Sequence, residues 1–90
     1  MTIDVQKKTD TEYIVSVVPD TGIVTQHTVT LHPKYYRMLT GGSISEKKLI
    51  VRSFEFLLTK ESNDAILPEF DLSDISQYFP EYEKEIKKRR

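Results

Sequence analysis

The run LIVRSFEFLL at residues 49–58 constrains the fold more than any other part of the chain. Ser43 and Ser45 just before it are both candidate N-caps, so a helix is predicted to begin there. Its apolar side chains point to nearly every side, whereas a surface helix needs an apolar stripe only about 100° wide. This helix must be covered from at least two directions, and it is predicted to be the central helix of the fold. The apolar residues are Leu49, Ile50, Val51, Phe54, Phe56, Leu57 and Leu58.

The length of the chain, 90 residues, indicates one small domain. A chain of this size buries only roughly 60–65% of its unfolded surface, so it gains from association and we expect a homodimer. The absence of cysteine excludes a disulfide framework and a thiolate zinc site. No apolar run approaches the ~18 residues of a membrane span, and the N-terminal residues lack a secretory apolar region. We therefore expect a cytoplasmic protein without membrane contact.

Two segments rich in β-branched residues, 13–18 and 23–31, are predicted to pair as a β-hairpin. The sequence PDTG between them supplies turn chemistry, since proline presets φ, aspartate bonds locally and glycine allows a positive φ. Residues along the second strand alternate between two faces. The face expected to meet the core carries Ile23, Thr25, His27, Val29 and Leu31, and the other is mostly polar.

Helices are predicted for most of the remaining chain. Pro33 fits the first turn of a short helix that Gly41 ends as a C′ glycine. After the central helix, Ser73 can cap another short helix, which Pro80 interrupts because the residue before a proline avoids the α region. A last helical piece follows, in which Glu83 and Lys87 have i,i+4 spacing.

The predicted fold class is α+β, with an N-terminal β-hairpin followed by three or four helices around the central apolar helix. Residues 12–86 form the single domain. Residues 1–11 are polar and are expected to be a flexible N-terminus, and residues 87–90 form a basic tail.

The segment 61–82 holds six acidic residues and no basic one. It also carries six large apolar or aromatic side chains, which are Phe70, Leu72, Ile75, Tyr78, Phe79 and Tyr82. Two interpretations stay open. Either the segment covers the second side of the central helix as part of the core, or it is an arm that folds onto a protein partner through these six side chains.

The sequence has no motif that combines a catalytic acid, base or nucleophile at a recognisable spacing. His27 and His32 are five apart on one strand, so they point to opposite faces and cannot hold one metal ion. His27 is interpreted as a core histidine with satisfied hydrogen bonds. Gly41-Gly42 lacks the flanking residues of a phosphate-binding loop. Asp71 and Asp74 fit helix caps and first-turn charges. We therefore predict no enzyme activity, no metal and no cofactor.

The strand Thr28–Leu31, the helix Pro33–Leu39 and the spacing Leu49-Ile50-x-x-Ser53-Phe54-x-x-Leu57-Leu58 follow one another in that order. On these features residues 26–58 resemble a ribbon-helix-helix domain, in which one strand from each chain pairs and its outward side chains enter the DNA major groove. The resemblance implies that base edges are contacted by Gln26, Thr28 and Thr30. It also implies that a phosphate is held by the backbone around Ser43 and Ser45, with Lys47 beside it.

Three further motifs are SFEFLL at 53–58, Ile66-Leu67-x-x-Phe70-Asp71-Leu72-x-x-Ile75, and YFPEY at 78–82. On these motifs the chain from Tyr13 to Ile86 resembles a family of small bacterial proteins of unknown function. This resemblance implies no activity, but it favours a bacterial cytosolic origin.

Two functional hypotheses follow for a non-enzymatic protein. The first is a ribbon-helix-helix-like DNA-binding regulator of the antitoxin type, whose segment 61–82 binds a toxin or another protein. The second is an α+β protein-interaction module with no nucleic-acid role. The net charge of −1 indicates only a modest electrostatic attraction to DNA phosphates.

Overall fold

Four strands and four helices make up the computed structural model, which describes residues 1–89. The strands are β1 (Thr2–Lys7), β2 (Glu12–Val18), β3 (Thr25–Thr30) and β4 (Glu69–Asp71). The helices are α1 (Pro33–Thr40), α2 (Glu46–Lys60), α3 (Ile75–Tyr78) and α4 (Tyr82–Arg89). Single 3-10 turns occur at Asn63–Ala65 and Leu72–Asp74. The α+β class is confirmed, but strands lie on both sides of α1 and α2 in the chain.

The strands form one sheet in the order β1-β2-β3-β4. The first three strands are antiparallel to their neighbours, and β4 runs parallel to β3. Val5, Val15 and His27 lie directly opposite one another across the first three strands, and all three are buried beneath the helices. Both edges of β3 are therefore paired within the chain, one with β2 and the other with β4.

The predicted hairpin is present as β2 and β3, which pair Tyr13 with Val29. The predicted core side of the second strand is confirmed where His27, Val29 and Leu31 are buried. Ile23 is wrongly placed on that side, because it precedes β3 and is exposed, as is Val24.

The turn of this hairpin is longer than the four residues predicted. Gly22 has a φ of 104°, a conformation that L side chains rarely adopt, and pairing with β2 begins only at Thr25. The connection therefore leaves two large apolar side chains in solvent.

The expectation of a flexible N-terminus at residues 1–11 is wrong for Thr2–Lys7, which forms β1. This strand pairs with β2 along its whole length, from Thr2 opposite Val18 to Lys7 opposite Tyr13. Its sequence has only two apolar residues at alternate positions, Ile3 and Val5, and charged residues around them. Pairing with β2 and burial of Val5 stabilise a segment that local propensity leaves undecided.

The helix boundaries follow local signals in the sequence. Pro33 is the first residue of α1, and Gly41 ends that helix in the left-handed region at φ 61°. Of the two candidate caps for α2, Ser45 is the N-cap, since its hydroxyl accepts a hydrogen bond from the backbone N–H of Lys48. Each signal supplies a group or conformation that a helix end requires.

The central helix α2 is covered from two directions, as predicted. On the side of the sheet, the Phe54 ring lies 5.4 Å from His27 and 6.0 Å from Phe70, measured between ring centroids. On the other side, the Phe56 ring lies 5.9 Å from Phe79 and 5.4 Å from Tyr82. The second cover is the chain's own C-terminal segment.

The prediction of a separate basic tail at residues 87–90 is wrong for its first residues, which continue a helix. Lys87 and Lys88 belong to α4, whose Ile86 is fully buried. Arg90 lies outside the described residues. Within residues 1–89, no helix has the length and apolar character needed to cross a membrane.

Candidate functional site: an apolar groove with an acidic rim

The loop that follows α2 is anchored on the hairpin by Asn63. Its side-chain nitrogen donates to the carbonyl oxygen of Ile23 at 2.8 Å and to the hydroxyl of Thr25 at 3.0 Å. Asn63 is buried, so these bonds replace the water that its amide would otherwise bind. The loop is therefore held at a fixed position beside the exposed Ile23–Val24 connection.

His27 continues this anchoring to the next residues of the loop. Its Nδ1 lies 2.8 Å from the carbonyl oxygen of Leu67, which can only accept, so Nδ1 carries the proton. In the neutral ring, Nε2 then accepts from the hydroxyl of Thr25 at 2.9 Å. The interpretation of His27 as a satisfied core histidine is confirmed, and the ring fixes the backbone at Leu67.

A capping box stabilises the turn from β4 into α3. The Asp71 carboxylate accepts from the backbone N–H of Ser73 at 2.9 Å, and the Asp74 carboxylate accepts from the backbone N–H of Asp71 at 3.1 Å. The interpretation of these two carboxylates as caps is confirmed. Nε2 of His32 lies 3.1 Å from Asp71 and links this turn to the start of α1.

Between the C-terminal end of α2, the anchored loop and α3 lies an open groove of about 200 Å³. We call it the groove. Its lining consists of Leu57, Glu61, Ala65, Ile66, Leu67, Phe70, Asp74, Ile75, Tyr78 and Phe79. Leu67 and Tyr78 remain 49% and 67% exposed at its margin. The groove therefore has an apolar floor and offers two large side chains to solvent.

The charge around the groove is negative. Glu61 and Asp74 belong to its lining, none of whose residues is basic, and the exposed Asp64 and Glu69 belong to the same stretch of chain. Lys60 precedes this stretch, but its ammonium lies 3.3 Å from the Glu81 carboxylate and 5.4 Å from the centre of the Phe56 ring. The Glu81 backbone and then Lys60 lower the pKa of the Glu81 carboxyl, which favours its charged form.

The six side chains predicted to bind a protein partner divide into two groups. Leu72 and Tyr82 are fully buried and would reach a partner only if the segment left the domain, whereas the other four line the groove, Phe70 and Ile75 among them although both are largely buried. Phe79 is partly buried, and Tyr78 is largely exposed. The segment is thus a cover of the central helix, and its accessible part is the margin of the groove.

The side chains predicted to read base edges share the open face of the sheet. Register places Gln26 beside Ser16 and Asp4, Thr28 beside Glu69, and Thr30 between Glu12 and Asp71. Four carboxylates therefore occupy the same face, where DNA phosphates would meet repulsion. The free strand edge that a two-chain ribbon uses is filled by β4.

The predicted phosphate-binding residues lie apart from that face, in the helical layer. Ser43 and Lys47 are exposed, while the Ser45 hydroxyl is engaged as the N-cap of α2. The structure brings together Ser43, Ser45 and Lys47 as neighbours at one helix start, and Gln26, Thr28 and Thr30 as neighbours on one strand.

Sequence reasoning missed Glu61, Ile66 and Leu67 as members of a site. Leu67 offered one signal, because it is an apolar residue beside a proline in a segment without basic residues. The groove itself unites three separate elements and has no local signature.

Comparison with known proteins finds no matching family model, no matching curated protein and no matching solved structure.

Proposed function

We propose that this protein is a non-enzymatic interaction module that binds a segment of another protein in the groove. The observation that carries the proposal is an apolar groove floor together with two large, exposed side chains in its lining, Leu67 and Tyr78. Exposed apolar surface beside a concave site is typical of protein contacts. The hydrogen bonds of His27 and Asn63 hold the groove margin in place, which reduces the ordering cost of binding.

A non-enzymatic role is supported by the state of the two histidines. Both ring nitrogens of His27 are engaged in the core, and the His32 ring is occupied by a carboxylate that caps a helix. The Thr25 hydroxyl donates to His27, but it also accepts from the buried amide of Asn63, so this pair belongs to the hydrogen bonds that anchor the loop.

The second candidate is the DNA-binding regulator expected from the ribbon-helix-helix resemblance. In its favour, Gln26, Thr28 and Thr30 share one open face. The carboxylates of Asp4 and Glu69 on that face oppose it, as does the pairing of β3 with β4. This candidate also carries the expectation of a homodimer, since each half-site contact needs one strand from each chain.

Selection from a library of random displayed peptides tests the proposal. Selected peptides should bind the wild-type protein and lose at least about tenfold in affinity for the double variant Leu67→Ser/Tyr78→Ser. The matched control is Val18→Ser/Met38→Ser, because these side chains are 42% and 48% exposed and lie outside the groove. The control should leave peptide binding unchanged.

Failure to select any peptide, or equal binding by both double variants, would contradict the proposal. A parallel titration with a labelled DNA duplex distinguishes the interaction module from the second candidate, the DNA-binding regulator. Binding below about 100 μM at low salt would favour the DNA-binding regulator, because phosphate contacts dominate such affinity.

A further inference from the structure

The geometry points to a cationic amphipathic segment as the occupant of the groove: one or two large apolar side chains flanked by lysine or arginine. This inference rests on the proposed function and names its partner class. The apolar side chains would enter between Leu67 and Ile75, and the cations would meet Glu61 and Asp74.

The volume of the groove limits the size of what enters it. About 200 Å³ is smaller than the roughly 300–1,000 Å³ of pockets that enclose a drug-sized ligand. It is enough for one or two apolar side chains. The rest of the ligand must therefore lie outside the groove and contact its rim.

The rim selects the charge of those outer contacts. Glu61 and Asp74 line the groove, and the surrounding segment 61–82 has six acidic residues and no basic one. Lys60, the basic residue just before it, is committed to Glu81 and to the Phe56 ring. An acidic ligand would meet carboxylates of like charge at the rim, while lysine or arginine would neutralise them.

Tyr78 adds a second preference for cations. Its ring is 67% exposed at the same margin, so a flanking lysine or arginine can lie over the ring face while an apolar neighbour enters the groove. Such cation–π contacts contribute most when the cation is partly desolvated, as it would be between a ring and an apolar floor.

Helix α4 of a second copy of this chain is a poor occupant. Its exposed lysines Lys84, Lys87 and Lys88 lie on α4, but the apolar residues of that helix, Tyr82 and Ile86, are fully buried. Helix α4 could not supply the apolar anchor without leaving its own core. We therefore assign the groove to a segment of a different protein. A dimer in gel filtration that Glu61→Lys dissociates would overturn this assignment, since Met38 and Arg37 of α1 are also exposed.

Fluorescence anisotropy with three labelled probe peptides tests the inference. One probe alternates pairs of leucine and lysine, the second has glutamate in place of lysine, and the third keeps lysine but has serine in place of leucine. The leucine–lysine probe should bind at least about tenfold more tightly than either of the others. Its affinity should fall with added salt, because rim charges are screened.

Charge reversal at the rim supplies the matched variants. Glu61→Lys should weaken the leucine–lysine probe about fivefold or more, whereas Glu55→Lys should change it less than about twofold. Glu55 is an exposed carboxylate on the same helix, outside the groove. The same denaturation midpoint for both variants confirms that folding is intact.

The outcomes distinguish failure of the cationic partner from failure of the proposed interaction module on which it rests. Tight binding of the leucine–glutamate probe, or library-selected groove peptides without lysine or arginine, would overturn the cationic partner and leave the interaction module standing. Equal binding of the serine–lysine probe would overturn the apolar anchor. A selection that yields no groove peptide would instead remove the proposed function itself.

Discussion

The hydroxyl oxygen of Tyr82 lies 2.6 Å from the hydroxyl oxygen of Ser53 inside the fold. Ser53 uses its single proton to donate to the carbonyl oxygen of Leu49 at 2.8 Å, so Tyr82 is the donor to Ser53. Both residues are fully buried. This contact joins the C-terminal segment to the central helix through a satisfied polar pair within apolar packing.

Substitution at Tyr82 should therefore destabilise the whole domain. Tyr82→Phe removes the hydrogen bond and should lower the free energy of unfolding by about 1 kcal/mol. Tyr82→Ala also leaves a cavity and should cost about 3–5 kcal/mol. Urea denaturation measures both, with Tyr78→Ala as the exposed tyrosine control, expected within about 0.5 kcal/mol of wild type. Equal effects of the two alanine variants would mean that the segment is not core.

Removal of residues 62–90 should abolish cooperative folding. The deletion takes away β4 and the second cover of α2, and it exposes Phe54 and Phe56 together. The remaining three strands and two helices would leave a large apolar surface in water. Thermal melting followed by circular dichroism should show no sharp transition. A truncated chain with a cooperative melt would contradict this role of the segment.

His27→Ala should weaken both the fold and the groove. It leaves the carbonyl oxygen of Leu67 without its donor, at a cost of about 1–3 kcal/mol, and frees the loop that carries the groove margin. Groove-binding peptides should lose affinity at temperatures where the variant is still folded. The control is His32→Ala, whose exposed ring pairs with Asp71 at the surface and should contribute less than about 1 kcal/mol.

Stability should decrease at alkaline pH because the buried Tyr82 and the partly buried Tyr35 resist ionisation. Burial raises the pKa of Tyr82, and burial together with the adjacent Glu83 raises the pKa of Tyr35, which donates to that carboxylate at 2.8 Å. In the unfolded chain both ionise near the ordinary value of 10.0. Above that pH the folded state keeps more protons than the unfolded state, so the free energy of unfolding falls as pH rises.

The stabilising contribution of these tyrosines is thus complete below about pH 9 and is lost progressively as the pH rises above about 10. For Tyr82 the slope can reach about 1.4 kcal/mol per pH unit. Urea titrations from pH 8 to 11 should show a flatter decline for Tyr82→Phe and for Tyr35→Phe than for wild type. Parallel declines in all three proteins would show that neither hydroxyl is protected.

Local chemistry in the sequence predicts the hairpin, the ends of α1 and α2, and the need for two covers on the central helix. Pro33, Gly41 and Ser45 each meet a requirement that depends on their nearest neighbours alone. Helix α2 has apolar side chains on nearly every side, and such a helix must be buried on several sides, so its two covers could be predicted.

Features that arise from distant contacts could not be predicted in the same way. Thr2–Lys7 and Glu69–Asp71 have weak strand signals, and each becomes a strand because a neighbour offers a free edge. The strand β4 then fills the edge of β3 that the ribbon-helix-helix resemblance would leave open for a second chain. The groove depends on where His27 and Asn63 hold the loop, through bonds to Leu67 and Ile23 that each join residues 40 positions apart.

Chemical-shift mapping of the ¹⁵N-labelled protein with the leucine–lysine probe tests the central claim most directly. The proposed function predicts that perturbed backbone amides cluster around the groove, at Glu61, Leu67, Asp74 and Tyr78. Perturbations centred on Gln26, Thr28 and Thr30 would instead place the binding surface on the open face of the sheet and contradict the proposal.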